Sequence, residues 1–328
     1  MDPNLREAIS AEIGRACRIL LVTHVGPDGD AIGSLLGLGS LLRARGKEVT
    51  LACEDPVPES YRFLPGSDQV VQEASGSYDL VIGLDCSDRQ RMGDVVSENL
   101  AALPLVNIDH HVTNGRFGTI NWVDASAVAT AQMVLTLAEE LGWPVTRQVA
   151  ICLLNGLVTD TRSFRTSNVD MAAMRAVLRL IEAGASLPEI ARQALEQRPL
   201  ASVRLWADAV DRLRLEDGIL WTSVTLAMRQ RWGMDENDFS GLANSLSGIR
   251  EARAVVVFTE RDNGLIDVSM RAAPGLNVAQ AAVRLGGGGH PQAAGCTLEV
   301  RDMGGTPGYG KVEVEPLTGF VSSEITAD

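Results

Sequence analysis

Short apolar runs alternate with amphipathic stretches through the first half of this chain, and no other feature restricts its fold as much. Arg18–Thr23, Glu48–Cys53, Tyr78–Leu84 and Leu105–Ile108 read as strands, and Ala31–Arg45 carries a helical pattern after the first of them. Strands and helices in this succession predict an α/β fold built on a parallel sheet with helices on both faces. In such a sheet the loops at the C-terminal strand ends carry the ligands. Helical patterns follow at Ser126–Leu141, Thr146–Asp160 and Val169–Ala183, with Gly142-Trp143-Pro144 parting the first two.

Residues from about Leu187 to Leu215 continue the helical pattern, punctuated by Pro188 and Pro199. Strands are then expected at Ile219–Leu226, Ala254–Glu260, Leu265–Arg271 and Ala294–Val300, with a helix at Val278–Leu285. Arg261-Asp262-Asn263-Gly264 is a hairpin turn, because Asn-Gly adopts the left-handed conformations such turns need. With 328 residues, 45% of them hydrophobic, the chain can bury two cores. The expected organisation is a catalytic domain over 1–190, a helical linker over 191–216 and a smaller α/β domain over 217–328. The last of these ends in a Gly-, Pro- and acid-rich tail, 303–328, to which no function is assigned.

Acids outnumber Lys plus Arg by 42 to 29, a formal charge of −13, which disfavours a long nucleic-acid groove. A small phosphorylated ligand is still compatible, since a local cluster of cations dominates within a Debye length of about 8 Å. Cysteines 17, 53, 86, 152 and 296 show no CxxC spacing and are expected as reduced core residues. No secretory leader or apolar run of membrane-spanning length is evident, so a cytoplasmic protein without a membrane partner is expected, as a monomer or homodimer.

The four histidines, His24, His110, His111 and His290, all stand at strand ends or in a Gly-rich loop beside acids or glycines. His24-Val25-Gly26-Pro27-Asp28-Gly29-Asp30 follows the first strand, and its turn lets one imidazole and two carboxylates converge. One of the two acids also suits a helix N-cap, which explains one Asp and leaves the other. Asp85 ends the strand before Cys86-Ser87-Asp88, with Asp88 better suited to capping. Asp109-His110-His111 ends the next strand, and two adjacent side chains there point in different directions and so have different tasks. Asp160 ends an apolar helix, where burial without a partner is costly. Carboxylates and imidazoles without thiolate suit Mn²⁺, Mg²⁺ or Zn²⁺ in a two-metal hydrolase of phosphoesters. Near the end of the chain, Gly286–Gly289 and His290, with Arg271 closing an earlier strand, could cradle an anion; a Gly run by itself is equally a flexible loop.

HVGPDGDAIGS, LDCSD, DHH, LVTDT and GGGGHPQAAG, in that order over about residues 10–300, resemble the DHH–DHHA1 phosphoesterases of the nanoRNase and pAp-phosphatase (bifunctional oligoribonuclease) type. The resemblance implies a DHH domain, a DHHA1 domain and an active site in the cleft between them. It implies one divalent cation on His24, Asp28 and Asp85 and a second on Asp30, Asp85, His110 and Asp160, with Asp85 shared. Mn²⁺ is the expected ion, with Mg²⁺ or Co²⁺ as alternatives. His111 would contact the scissile phosphate or leaving oxygen, Asp109 would orient the histidines, and Arg271, Gly287, Gly288, Gly289 and His290 would hold substrate. Gly26 departs from the family pattern, where Asn is common, so any bond from that amide is missing. The implied activity is hydrolysis of short oligoribonucleotides such as pApA to mononucleotides, and of pAp to AMP, with short RNA or DNA oligonucleotides, pAp or a cyclic dinucleotide as the expected partners. A cyclic di-AMP phosphodiesterase is the alternative, and a silent nucleotide-binding protein a third reading that six convergent ligands argue against.

Overall fold

The runs read as strands do pair in parallel, in a six-stranded sheet that also takes in two short strands the hydrophobic pattern does not announce. A computed structural model describes residues 1–95, 103–234 and 241–299. The chain divides into two units, Met1–Gln197 and Arg198–Asp328. In the first, α1 (Pro3–Arg15) precedes β1 (Arg18–Val22), α2 (Gly29–Arg43), β2 (Glu48–Ala52), β3 (Val70–Val71), β4 (Leu80–Leu84), β5 (Leu105–Asp109) and β6 (Ile120–Val123). The helices α3 (Thr130–Glu140), α4 (Arg147–Asp160), α5 (Met171–Glu182) and α6 (Leu187–Ala191) follow. The unexpected strands, β3 and β6, span only two and four residues, too few for an alternating pattern to stand out.

The sheet order is β3-β2-β1-β4-β5-β6, all parallel. The chain reverses its direction of travel across the sheet between β1 and β4, and ligands of doubly wound sheets bind beyond the carboxyl ends of the strands at such a switch point. Thr23, just past β1, donates its hydroxyl to the Leu84 carbonyl at the end of β4 (3.0 Å), which ties the two ends together.

One face of the sheet, through Ile19, Leu21, Ile82, Leu84, Val106 and Ile108, packs under the helices. The opposite face, through Leu20, Val22, Val81 and Leu105, meets Met92 and Val95 of a 3-10 segment, Gln90–Val95, rather than a long helix among the described residues. That segment is kinked at Gly93, which is left-handed at φ 65°.

α2 lies directly against α4 because its contact row is glycine. A Cβ at Gly29 would come within 2.5 Å of Thr159, one at Gly37 within 2.5 Å of Leu153, and one at Gly33 would strike the Cys152 carbonyl. Spaced four apart, these three positions form one face of the helix.

In the second unit, α7 (Leu200–Val210), β7 (Arg214–Glu216), β8 (Ile219–Val224), α8 (Leu226–Trp232), α9 (Leu242–Leu246), β9 (Ala254–Glu260), β10 (Leu265–Ala272), α10 (Val278–Arg284), β11 (Gly288–His290) and β12 (Ala293–Glu299) build a sheet of order β11-β12-β10-β9-β8-β7. Only the β8–β9 pair is parallel. Within the stretch expected as a helical linker, a π-helical turn at Arg192–Glu196 closes the first unit, while Leu205 and Ala209 of α7 join the second unit's core. Residues 214–216 are strand, not helix, held by antiparallel pairing with β8. The Arg261–Gly264 turn joins β9 to β10 as a hairpin.

Two expectations need correction. The glycine run is not a loop throughout: Gly288–His290 pairs with Ala293–Gly295 as β11, and a Cβ at Gly287 would strike the Gly295 carbonyl. Cys17 is exposed between α1 and β1, although all five cysteines are free and the other four are buried. The tail 303–328 lies outside the described residues. Among the described residues no helix is long and apolar enough to cross a membrane.

Candidate metal centre

Beyond the carboxyl ends of β1, β4 and β5, six side chains converge. Asp28 is the N-cap of α2 and accepts from the Asp30 and Ala31 amides (3.0 Å each), which turns the chain so that Asp30 enters the helix facing inward. Asp30 is buried. Gly26, in the left-handed region at φ 61°, donates its amide to Asp55 (2.6 Å), so the loop is anchored without a side chain there. At the end of β4, Asp85 is also left-handed, at φ 61°, a conformation that costs a non-glycine residue about 1–2 kcal/mol. Asp88 takes the capping role expected of it, accepting from the Arg91 amide (3.0 Å).

Oriented imidazoles complete the cluster. His24 Nδ1 lies 2.9 Å from the Val25 carbonyl and His110 Nδ1 lies 3.2 Å from the Ala127 carbonyl. A carbonyl only accepts, so a proton on Nδ1 suits each ring, while at His24 the Arg91 guanidinium, a donor, also lies 3.1 Å from Nδ1; both rings turn Nε2 toward the acids. His24 Nε2 stands 3.5 Å from Asp85 Oδ2 and 3.9 Å from Asp28 Oδ1. His110 Nε2 stands 3.3 Å from Asp160 Oδ2, 3.5 Å from Asp85 Oδ1 and 3.9 Å from Asp30 Oδ2. His111 differs: its Nδ1 lies 2.7 Å from Asp109 Oδ1, and Asp109 accepts from Asn114 on its other oxygen (2.6 Å).

Two ligand groups result. One atom each from His24, Asp28 and Asp85 lie within 4.8 Å of one another, and so do atoms of Asp30, Asp85 and His110. Asp85 belongs to both, and Asp160 joins the second through His110. A third grouping, Asp85, Asp109 and His111, is equally close, but there His111 is already committed to Asp109.

The electrostatics fit cations. Burial, then the nearby Asp85 and Asp160 charges, push the Asp30 carboxyl well above its usual range. Burial opposes ionisation of Asp85 too, yet the His24 hydrogen bond and the His111 and His110 charges hold it below the carboxylate range. Burial lowers the basicity of His111, but the Asp109 hydrogen bond and the Asp85, Asp109 and Asp160 charges outweigh it and push the imidazole up to about 10. No Lys or Arg pairs with Asp30 or Asp85 among the described residues. A hard divalent cation matches this carboxylate and imidazole set and would relieve the crowding of like charges.

In the second unit, Arg271 of β10 and His290 of β11 both pair with Ala293 of β12, which puts them in one row on one face with only a methyl group between. Arg271 Nε donates to Asn244 (2.5 Å). The Gly286 and Gly287 amides donate to the Val283 (3.1 Å) and Ala282 (2.7 Å) carbonyls, and Gly288 and Gly289 lie in the β11–β12 pairing.

Sequence reasoning missed Thr130, Asn114 and Arg91. The Arg91 guanidinium lies 3.1 Å from His24 Nδ1, and Asn114 clamps Asp109. Thr130 reaches Asp30 and Asp85 from the start of α3. Nothing in the local pattern marks any of the three.

Residues 18–157 match the DHH family, N-terminal domain, and residues 222–304 match the DHHA1 domain. The chain is 37% identical to the bifunctional oligoribonuclease and PAP phosphatase NrnA of Thermus thermophilus, over 87% of this chain and 85% of that one. Identity to the protein of the same name from Bacillus subtilis is 29%, over 85% and 89%. A crystal structure of an exopolyphosphatase-related protein from Bacteroides fragilis superposes with a TM-score of 0.84 at 22% identity, covering 98% of this chain and 96% of that one, a likeness of fold.

Proposed function

The chain belongs to the DHH family, with a DHHA1 domain behind its DHH domain, and on that premise we propose that it is a two-cation phosphoesterase that cleaves short oligoribonucleotides to mononucleotides and pAp to AMP. The observation that carries the reading is the sharing of Asp85 between two ligand groups, one with His24 and Asp28, the other with Asp30 and His110. Asp160 completes the second group. Mn²⁺ suits this mixture of oxygen and nitrogen donors.

Bound cations would supply Lewis-acid activation of water and neutralise charge on the phosphoryl group. The chain's own residues set the rest. The Val25 and Ala127 carbonyls hold the Nδ1 edges of His24 and His110, so both rings turn Nε2 toward the acids. Asp109 keeps His111 protonated, so the imidazolium can donate to a phosphate oxygen or to the leaving oxygen. Arg271, His290 and the Gly288 and Gly289 amides bind the anionic end of the substrate, a role in keeping with the shared face of Arg271 and His290. The negative net charge agrees with a small substrate rather than a long polyanion.

The test is Mn²⁺-dependent hydrolysis of pApA, a 5-mer RNA, pAp and cyclic di-AMP in parallel, with His111→Ala as control. Turnover of pApA and the 5-mer far above cyclic di-AMP, lost in the variant, is expected. Dominant cleavage of cyclic di-AMP would reassign the substrate, and failure on all four would overturn the enzymatic reading.

A further inference from the structure

Thr130 opens α3 and is fully buried. Its amide donates to Asp30 Oδ2 (2.6 Å) and its hydroxyl donates to Asp85 Oδ1 (2.8 Å). The next amide, of Ala131, donates to Asp30 Oδ1 (2.9 Å). Asp30 is delivered by the first turn of α2 and Asp85 by the end of β4, so one residue bonds carboxylates brought in by two separate elements. Both oxygens of Asp30 are met by the first two amides of α3, whose N-terminal dipole also favours the negative charge.

Asp85 is held differently. Its left-handed backbone takes it out of the strand, and the Thr130 hydroxyl is the neutral donor on its Oδ1, the oxygen that faces His110. A hydroxyl has one proton to give, and this one goes to a carboxylate in a buried site, where such a bond is strong and its loss leaves an acceptor uncompensated.

We propose that Thr130 is a positioning residue of the cation site: through its amide and hydroxyl it fixes the mutual orientation of Asp30 and of the shared ligand Asp85. The inference rests on the two-cation reading. It goes beyond that reading by assigning a function to a side chain outside the carboxylate and imidazole groups, one whose hydroxyl proton is directed at Asp85. A merely structural Thr130, serving only as the first residue of α3, would depend on its shape and not on its hydroxyl proton.

Thr130→Val retains the branched shape and the amide to Asp30 and removes only the hydroxyl; Thr130→Ser retains the hydroxyl and removes the methyl. Mn²⁺ uptake by the metal-stripped full chain is followed by the paramagnetic resonance signal of free Mn²⁺, with thermal unfolding in chelator as a fold control. Wild type and Thr130→Ser are expected to bind alike, and Thr130→Val to bind about 10- to 100-fold more weakly. Thr130→Ala, which also lacks the hydroxyl, replaces the valine variant if that chain unfolds. A valine or alanine variant with the wild-type isotherm overturns the inference alone, as does a serine variant that loses as much as the valine one. A wild-type chain that takes up no Mn²⁺ overturns the two-cation reading and this inference together.

Discussion

Asp109 Oδ1 sits 2.7 Å from His111 Nδ1, so the second histidine at the end of β5 is held by an acid two residues before it. Asp109 is buried and also clamped by Asn114. The Asp109 hydrogen bond, with the Asp85, Asp109 and Asp160 charges, outweighs burial and raises the basicity of His111. Asp109→Asn preserves the shape and removes the charge. It should lower kcat on pApA roughly 10²- to 10⁴-fold, the usual worth of a positioned proton donor, while leaving Mn²⁺ content per chain unchanged. Steady-state kinetics beside elemental analysis checks this; a kcat within a few-fold of wild type would refute the assignment.

The α2–α4 contact leads to a second expectation. A Cβ at Gly156 would stand 2.5 Å from Asp30 Oδ1 and 2.6 Å from the Ala131 Cβ, so Gly156→Ala presses on a candidate ligand and on the helix that supports it. Overpacking of this kind costs about 1–3 kcal/mol. The variant should therefore unfold at lower denaturant and also bind Mn²⁺ more weakly. Unchanged binding in a folded variant would show that the contact matters to the fold alone.

The strand-end residues His24, Asp85 and Asp109 were legible because short continuous apolar runs stop beside them and a parallel sheet turns such stops into one edge. The left-handed backbone at Asp85 was not legible, since no glycine marks it. The pairing of His111 with Asp109 was readable only as a difference between adjacent side chains. Thr130 was invisible because its partners lie far away in sequence and meet it through packing. The glycine run misled in a physical way: Gly287 is glycine because the Gly295 backbone approaches too closely for a side chain, a need of hairpin packing separate from anion binding.

The cysteines carry a prediction independent of catalysis. Burial pushes the Cys53, Cys152 and Cys296 thiols up to about 12 and that of Cys86 well above its ordinary value, while Cys17 is exposed. One thiol per native chain should react with a disulfide reagent at pH 8, and five after unfolding. The same shifts set a sign for stability. An unfolded thiol loses its proton near pH 8.5 whereas these hold theirs to about 12, so the native chain binds more protons between those values. Their contribution is fully present below about pH 8.5 and is lost as the pH climbs towards about 12. A midpoint of urea unfolding that does not fall from pH 8 to pH 10 would contradict this.

Asp28 and Asp85 separate the two ligand groups. Asp28 belongs only to the group with His24, and its other task is capping α2, which Asn performs equally well. Asp28→Asn should therefore keep the stability of the apo chain and lose one Mn²⁺ per chain while retaining the ion on Asp30, His110 and Asp160. Asp85 belongs to both groups, so Asp85→Asn should release both ions and abolish turnover of pApA and pAp alike. Elemental analysis after gel filtration distinguishes the outcomes. Equal losses in the two variants would mean that the ions bind as one inseparable pair, and full Mn²⁺ content in Asp85→Asn would remove Asp85 from its shared position.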